Sequence, residues 1–308
     1  MAEYHTYLPA VMNTGKPMTG LARCYASEED MERTKSGFYY DWAYNPASLS
    51  DSRYVPMSRE GQMIDLPEGY SGYLLQFNEP DNIEPHGCGV SPEAAAPLYE
   101  AMVSRYPHAK IVPGGVTAGG YNWMEKFKSL ITTVPHAWAV HAYIEGYRDV
   151  DWVEGFLSKV HGMLGGNIWV TEWAEVAGNT TADEQLATWM DAQPWIERWA
   201  YFTNRVDVPQ PWYPQGWNVL LFDYSSGEPT AIGAWMMDYM SQRVGRGGGC
   251  GDEAEIICDE GEIALQSFGV SVTHQTHETY QVSSIAQRFD SKCSTEIMNL
   301  GFWNISQD

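Results

Sequence analysis

The chain of 308 residues carries 40 acidic against 18 basic side chains, a formal net charge of -22. Such an excess repels phosphate backbones and anionic lipid surfaces, and no cluster of Lys and Arg offsets it, so nucleic-acid and membrane partners are not expected. Apolar content of 44% with 19% charged residues is that of a globular protein, and no apolar run nears the roughly eighteen residues of a membrane helix.

Short apolar runs alternate along the chain with turn signals and helical stretches, the pattern of repeated strand and helix units. Strands are predicted near Gly20 to Cys24, Gly37 to Trp42, Arg53 to Met57 and Gly72 to Asn78. Four more follow near Lys110 to Pro113, Ala137 to Tyr143, Asn167 to Glu172 and Arg198 to Thr203. Helices are predicted at Ser91 to Tyr106, Asn122 to Ile131, Val150 to Leu164, Thr181 to Trp195 and Thr230 to Gln242. Ser91 before Pro92 reads as an N-cap with a first-turn proline, and Thr181 with Glu184 as a capping box. The Pro-, Ser- and Gly-rich connections after the second and third strands are too short for full helices. The expected fold is therefore a (β/α)8 TIM barrel with two reduced helices, occupying residues 1–244, with catalytic groups at the C-terminal ends of strands. The run "GRGGGCG" from Gly245 reads as a linker, and residues beyond it as a small β-rich tail of no evident role.

The five cysteines, Cys24, Cys88, Cys250, Cys258 and Cys293, lack metal-site spacing and fit either one or two disulfides or buried thiols. His274 and His277 are separated by an odd step, which on a strand sends them to opposite faces, so no metal role is assigned to them. No metal or organic cofactor is expected. Thirteen Trp and nineteen Tyr are many for one core, and flat aromatic faces on a polar protein stack well on sugar rings.

Two stretches carry chemistry. "LLQFNEPDN" ends an apolar run at Glu79, and strand alternation puts Tyr73, Leu75, Phe77 and Glu79 on one face. Pro80 disfavours a helical Glu79 and is expected to hold it extended. "NIWVTEWAE" ends a second run at Glu172, with Ile168 and Val170 expected on its inward face and Trp169 and Thr171 on the other. On the fourth and seventh strands the two acids would face each other across the barrel mouth, as a pair of carboxylates acting on one bond must. Asn78, at the turning point, is a candidate partner for a sugar 2-hydroxyl. "HAWAVHAY" on the sixth strand places His141 and Tyr143 where they can orient Glu172.

"FNEPD", "VHAY" and "WVTEWA", together with "YDWAYN", "VPM" and the pair Trp123 and Phe127, resemble clan A glycoside hydrolases and most closely glycoside hydrolase family 128, the endo-β-1,3-glucanases. The resemblance covers roughly Gly20 to Gln242. It implies a retaining enzyme acting on a β-1,3-glucan, with Glu79 as general acid/base, Glu172 as nucleophile, and Asn78, His141 and Tyr143 in support; a secreted or extracellular monomer is expected. Trp42, Trp123 and Trp173 are the candidates for stacking sugar rings. Where the family has a tryptophan on the last strand this chain offers Tyr201, and the loop "DNIEPHGCG" also departs from the family pattern. Glu79 is expected to be kept protonated near neutral pH by partial burial and the charge of Glu172. The rival expectations are a clan A glycosidase of another linkage and a barrel that binds glucan without turnover.

Overall fold

The computed structural model describes residues 16–246, except 84 and 211, and five short strands within residues 256–306. Eight strands form one all-parallel sheet: β1 (Met18–Ala22), β2 (Phe38–Tyr40), β3 (Met57–Ser58), β4 (Tyr73–Gln76), β5 (Lys110–Val116), β6 (Ala137–His141), β7 (Asn167–Trp173) and β8 (Ile196–Phe202). Their order, β2-β1-β8-β7-β6-β5-β4-β3, leaves a seam between β2 and β3. A single parallel bridge spans it: the Tyr39 amide donates to the Arg53 carbonyl, and the Val55 amide to that of Tyr39. The sheet is thus a nearly closed (β/α)8 barrel.

The helices follow their strands. They are α1 (Glu28–Arg33), α2 (Pro92–Arg105), α3 (Tyr121–Leu130), α4 (Val150–Leu164), α5 (Thr180–Ala192) and α6 (Ala231–Arg246). As the short connections required, a 3-10 turn (Pro46–Ser50) stands in after β2 and no helix follows β3. The one-and-a-half turns of α1 were not foreseen; Ser27 caps them by accepting from the Asp30 amide. The expected cap Thr181 lies inside α5, because Asn179 comes first and accepts the Thr181 amide. The same helix stops at Ala192, short of the expected Trp195, since Pro194 bars continuation. α6 runs to Arg246, past the expected start of the linker at Gly245. Residues 242–308 cluster as a second unit, with a hairpin of β9 (Ile256–Asp259) and β10 (Glu262–Leu265) and an antiparallel sheet of β11 (Val272–Gln275), β12 (Thr279–Val282) and β13 (Trp303–Ser306). The side chains of His274, His277, Cys250, Cys258 and Cys293 lie outside the described residues. Cys24 and Cys88 are both free thiols.

The lower barrel is filled by an aromatic stack around a buried cation rather than by aliphatic layers. Trp169 meets Phe38 at 5.6 Å and Tyr73 at 4.9 Å, and the Arg198 guanidinium lies 4.1 Å over Tyr73 and 4.5 Å over Trp169. Contacts reaching β2, β4 and β8 at once put Trp169 on the inward face, where Ile168 and Val170 had been expected. Glu172 also points inward, so the odd step from 169 to 172 must be absorbed. The β6/β7 register supplies it: Val140 pairs Val170 but His141 pairs Glu172, a bulge that leaves Thr171 extra.

At the other end of the chain's barrel, α6 docks through a glycine. A Cβ on Gly233 would stand 1.8 Å from the Leu221 carbonyl oxygen, inside any tolerable contact. Leu221 cannot yield easily, because its amide donates to Thr203 and its carbonyl accepts from Thr230. Gly233→Ala is expected to cost about 3 kcal/mol, read as a lower urea midpoint. An unchanged midpoint would mean that α6 is free to shift.

Candidate active site

Three residues at the barrel mouth have left-handed backbones without being glycine: Trp42 (φ 56), Phe77 (φ 69) and Glu79 (φ 42). Each turn re-aims a side chain. After β4 the alternation breaks, so Phe77 leaves the expected shared face and packs outward on Trp123 and Phe127 of α3, each at 6.1 Å. Glu79 is then turned into the mouth, left-handed rather than extended as Pro80 suggested. Its amide donates to the Gly115 carbonyl. The loop behind it folds back on Gly87, where a Cβ would collide with the carbonyls of Asn82 (2.2 Å) and Glu79 (2.3 Å). That close return is what the unfamiliar "DNIEPHGCG" segment provides. It sets Asn82 to donate to Glu79 Oε2 at 2.9 Å.

Glu172 is buried in a ring of donors. Trp42 Nε1 donates to its Oε1 at 2.7 Å and the Tyr143 hydroxyl to its Oε2 at 2.6 Å, while the Tyr40 hydroxyl divides its one hydrogen between the Thr171 carbonyl at 2.9 Å and Oε1 at 3.2 Å. His141 stands between the acids, its Nδ1 2.9 Å from Glu79 Oε1 and 3.2 Å from Glu172 Oε2. Oxygens of the two glutamates come within 4.8 Å of one another. Two carboxylates and an imidazole at this spacing would also suit a divalent cation. However, an indole and two phenols compete for the oxygens of Glu172, which favours a carboxylate held by hydrogen bonds.

The electrostatics correct one expectation. Burial raises the proton affinity of Glu79, but the hydrogen bond and charge of His141 and the Asn82 amide outweigh it, so its pKa is lowered. Glu172 is raised, by burial first and by the charge of Glu79, against the pull of His141, Tyr143 and Trp42. Burial opposes a charge on His141, yet Glu172 and Glu79 together raise its pKa. The directions are thus the reverse of those expected: the site favours the charged form of Glu79 and the protonated form of His141, and burial works against a charge on Glu172.

The acids open on a cleft of about 950 Å³. Trp42, Tyr143, Phe202 and Trp217 form an aromatic wall, with Tyr143 4.8 Å and Phe202 6.1 Å from Trp217, and Trp42 5.8 Å from Phe202. The facing wall is polar, with Arg59, Asp81, Asn82, His86 and Thr117. Asn78 lines the cleft; its amide donates to the His86 carbonyl and its Oδ1 has no partner.

Three of the predicted stacking residues are not in the cleft. Trp123 lies on Phe127 at 4.9 Å with its indole donating to the Val90 carbonyl. Trp173 and Tyr201 are fully buried against each other at 5.1 Å, in a cluster with Trp199 and with Trp235 of α6. The β8 residue that reaches the cleft is Phe202, one position later. Trp212 and Trp217 come from the loop "QPWYPQGWN" after β8. Its aromatic content and place after the last strand were legible in the sequence but were not used. Tyr40 is two residues before Trp42 in "YDWAYN" and was also passed over.

A family model, the glycosyl hydrolase catalytic core, matches residues 20–236. The chain belongs to this family. Its fold is also that of glycoside hydrolase family 128 structures, in line with the motif resemblance. An endo-β-1,3-glucanase of subgroup I from Amycolatopsis mediterranei, solved with laminaritriose, superposes with a TM-score of 0.56 at 17% identity, covering 72% of this chain and 99% of that one. A curdlan-specific exo-β-1,3-glucanase of subgroup III from Blastomyces gilchristii, solved with glucose, gives 0.55 at 25% identity over 73% and 99%. An oligosaccharide-binding protein of subgroup VII from Trichoderma gamsii gives 0.55 at 14% identity over 77% and 98%. No curated protein matches the chain.

Proposed function

We propose that this glycosyl hydrolase core is a retaining endo-β-1,3-glucanase. The observation that carries the reading is the pair Glu79 and Glu172, with oxygens within 4.8 Å across an aromatic-walled cleft. Carboxyls about 5 Å apart suit attack by one acid directly on the sugar, whereas inversion needs a wider gap to admit water. Glu172, fixed by three donors, is the nucleophile that bonds to the anomeric carbon. Glu79, on the polar side, protonates the departing oxygen and then deprotonates the water that releases the glycosyl group. Tyr143 and Trp42 keep Glu172 charged and aimed. The unspent Oδ1 of Asn78 is the acceptor offered to a sugar hydroxyl.

A neutral glucan suits a cleft with aromatic faces on a strongly acidic protein, and the family 128 relatives named above act on β-1,3-glucans or bind oligosaccharides. Endo action is supported by the size of the cleft, at the upper end for small-ligand sites and roomy for more than one ring. The test is chromatography of products from a linear β-1,3-glucan beside a β-1,4-glucan. A ladder of short oligosaccharides from the β-1,3 chain alone is expected. Glucose as sole early product would make the enzyme exo-acting. Binding without products would place it with the oligosaccharide-binding relatives.

A further inference from the structure

We propose that His141 stores the proton that Glu79 delivers, so that the empty site rests as an imidazolium bridging two carboxylates. The inference rests on the reading of Glu79 as the acid. His141 is 1% exposed, and its Nδ1 alone faces both Glu79 Oε1 and Glu172 Oε2. Two acids and an imidazole this close cannot all be without a proton, and of the three the imidazole has the highest intrinsic affinity, so the proton sits on Nδ1 between the two carboxylates. On the far edge of the ring Nε2 is buried without a partner, beside Gly115, where a Cβ would stand 3.4 Å away. Nothing on that side anchors a charged ring. The carboxylates hold the cation at Nδ1 while an unpaired, buried Nε2–H makes it costly to keep, which lets the ring give up its proton through Nδ1 when the balance shifts.

The charged groups facing this ring come from two neighbouring elements. Glu79 and Asp81 stand on the segment after β4, with His86 acting on Glu79 from the same loop; Glu172 stands on β7. On its own segment, Tyr143 spends its hydroxyl on Glu172. Glu79, His141 and Glu172 therefore titrate as one system, and its pH limbs belong to the group rather than to one residue. The raised pKa of His141 and the lowered one of Glu79 have the directions this sharing requires.

Substrate drives the transfer. A sugar ring entering the cleft displaces water from Glu79 and disfavours its charge. The Nδ1–H bond breaks, an Oε1–H bond forms on Glu79, the imidazolium becomes neutral and the carboxylate becomes an acid. Glu79 then gives this proton to the leaving oxygen. In the second half-reaction it takes one from water and, once the product leaves, returns it to Nδ1, so the cycle consumes no proton. His141 acts through Glu79 and is a positioning residue for the proton.

The experiment pairs His141→Gln with Glu79→Gln and uses two substrates, a β-1,3-glucan and a dinitrophenyl β-glycoside whose leaving group needs no proton. For His141→Gln, kcat/KM on the glucan is expected to fall about 100-fold. Its basic limb is expected to move about one pH unit lower, because carboxylates alone must then hold the proton. The activated glycoside should stay within about threefold, since proton donation is not needed for it. Equal losses on both substrates with an unmoved limb would make His141 merely structural and overturn the proposal. Nitrogen-15 NMR of the empty wild-type enzyme should show both ring nitrogens of His141 protonated at about pH 6. A neutral ring there would overturn the proposal while leaving the acid assignment of Glu79 intact. If Glu79→Gln fails to lose glucan activity selectively, the acid assignment falls first and the proposal with it.

Discussion

Glu172→Gln is expected to lower kcat on an unactivated β-1,3-glucan by a factor on the order of 10^5, to the level left by binding alone. An amide of the same size keeps an acceptor toward Trp42 and Tyr40 but cannot form the glycosyl ester. The variant should therefore still fold and still bind the glucan, with a KM or Kd near that of the wild type. Glu79→Gln should behave differently. It removes proton donation, worth about 10^2 to 10^4, so the deficit should shrink on a substrate with a dinitrophenolate leaving group. Azide separates the two further. In Glu79→Gln it can attack the trapped glycosyl group on Glu172 and yield a β-glycosyl azide. In Glu172→Gln it can only replace the missing nucleophile and give the α-anomer. A β-azide from Glu172→Gln, or no difference between the two substrates in Glu79→Gln, would exchange or dissolve the assigned roles.

Asp183→Asn is expected to remove a pH dependence of stability that has nothing to do with catalysis. Asp183 lies fully buried in the first turn of α5, where Oδ1 accepts the Glu175 amide at 2.9 Å and Oδ2 has no partner. Burial, helped by the charge of Glu175, pushes its pKa up from 3.8 to about 7. A carboxyl that binds its proton more tightly when folded contributes stability that is complete below about pH 4 and lost as the pH rises through 7. A shift of this size corresponds to about 4 kcal/mol at most. Asparagine keeps the accepting oxygen and has no charge to bury. The wild-type denaturation midpoint should fall more steeply between pH 4 and 7 than that of the variant, which keeps the contributions of Glu172, Asp41 and Asp81, all raised by burial. The polar clasp at the barrel floor does not confuse the reading. Glu197, bound to His136, Asn167 and Tyr73, is lowered to about 2, so its contribution is lost only as pH falls below its unfolded value. An equal fall in both proteins would refute the assignment to Asp183.

What the sequence revealed and what it hid divide along one physical line. Strand and helix order was legible because burial imposes periods of two and of 3.6 on apolar residues, and α4 was predicted to the residue. Glu79 and Glu172 were legible because an acid at the end of an apolar run has few structural reasons to be there. The facing of individual side chains was not, since alternation assumes an unbroken strand. The extra residue at Thr171 turned Trp169 inward, and the left-handed turn at Phe77 sent that ring onto α3. The same blindness misplaced Trp123, Trp173 and Tyr201, whose rings fill the layer between sheet and helices. An aromatic that stacks sugar and one that packs a helix are the same letter.

The left-handed residues at the mouth have a consequence for anyone who would improve this protein. Such a conformation costs a side-chain-bearing residue on the order of 1 to 3 kcal/mol, and glycine would relieve it. The exposed Lys35, also left-handed, is where that relief comes without loss; at Phe77 and Trp42 the lost ring packing outweighs it, and at Glu79 it removes a carboxylate of the cleft. Two of these three hold or supply the carboxylates of the cleft. Selection for durability would therefore relax Lys35 and leave the strained mouth as it stands.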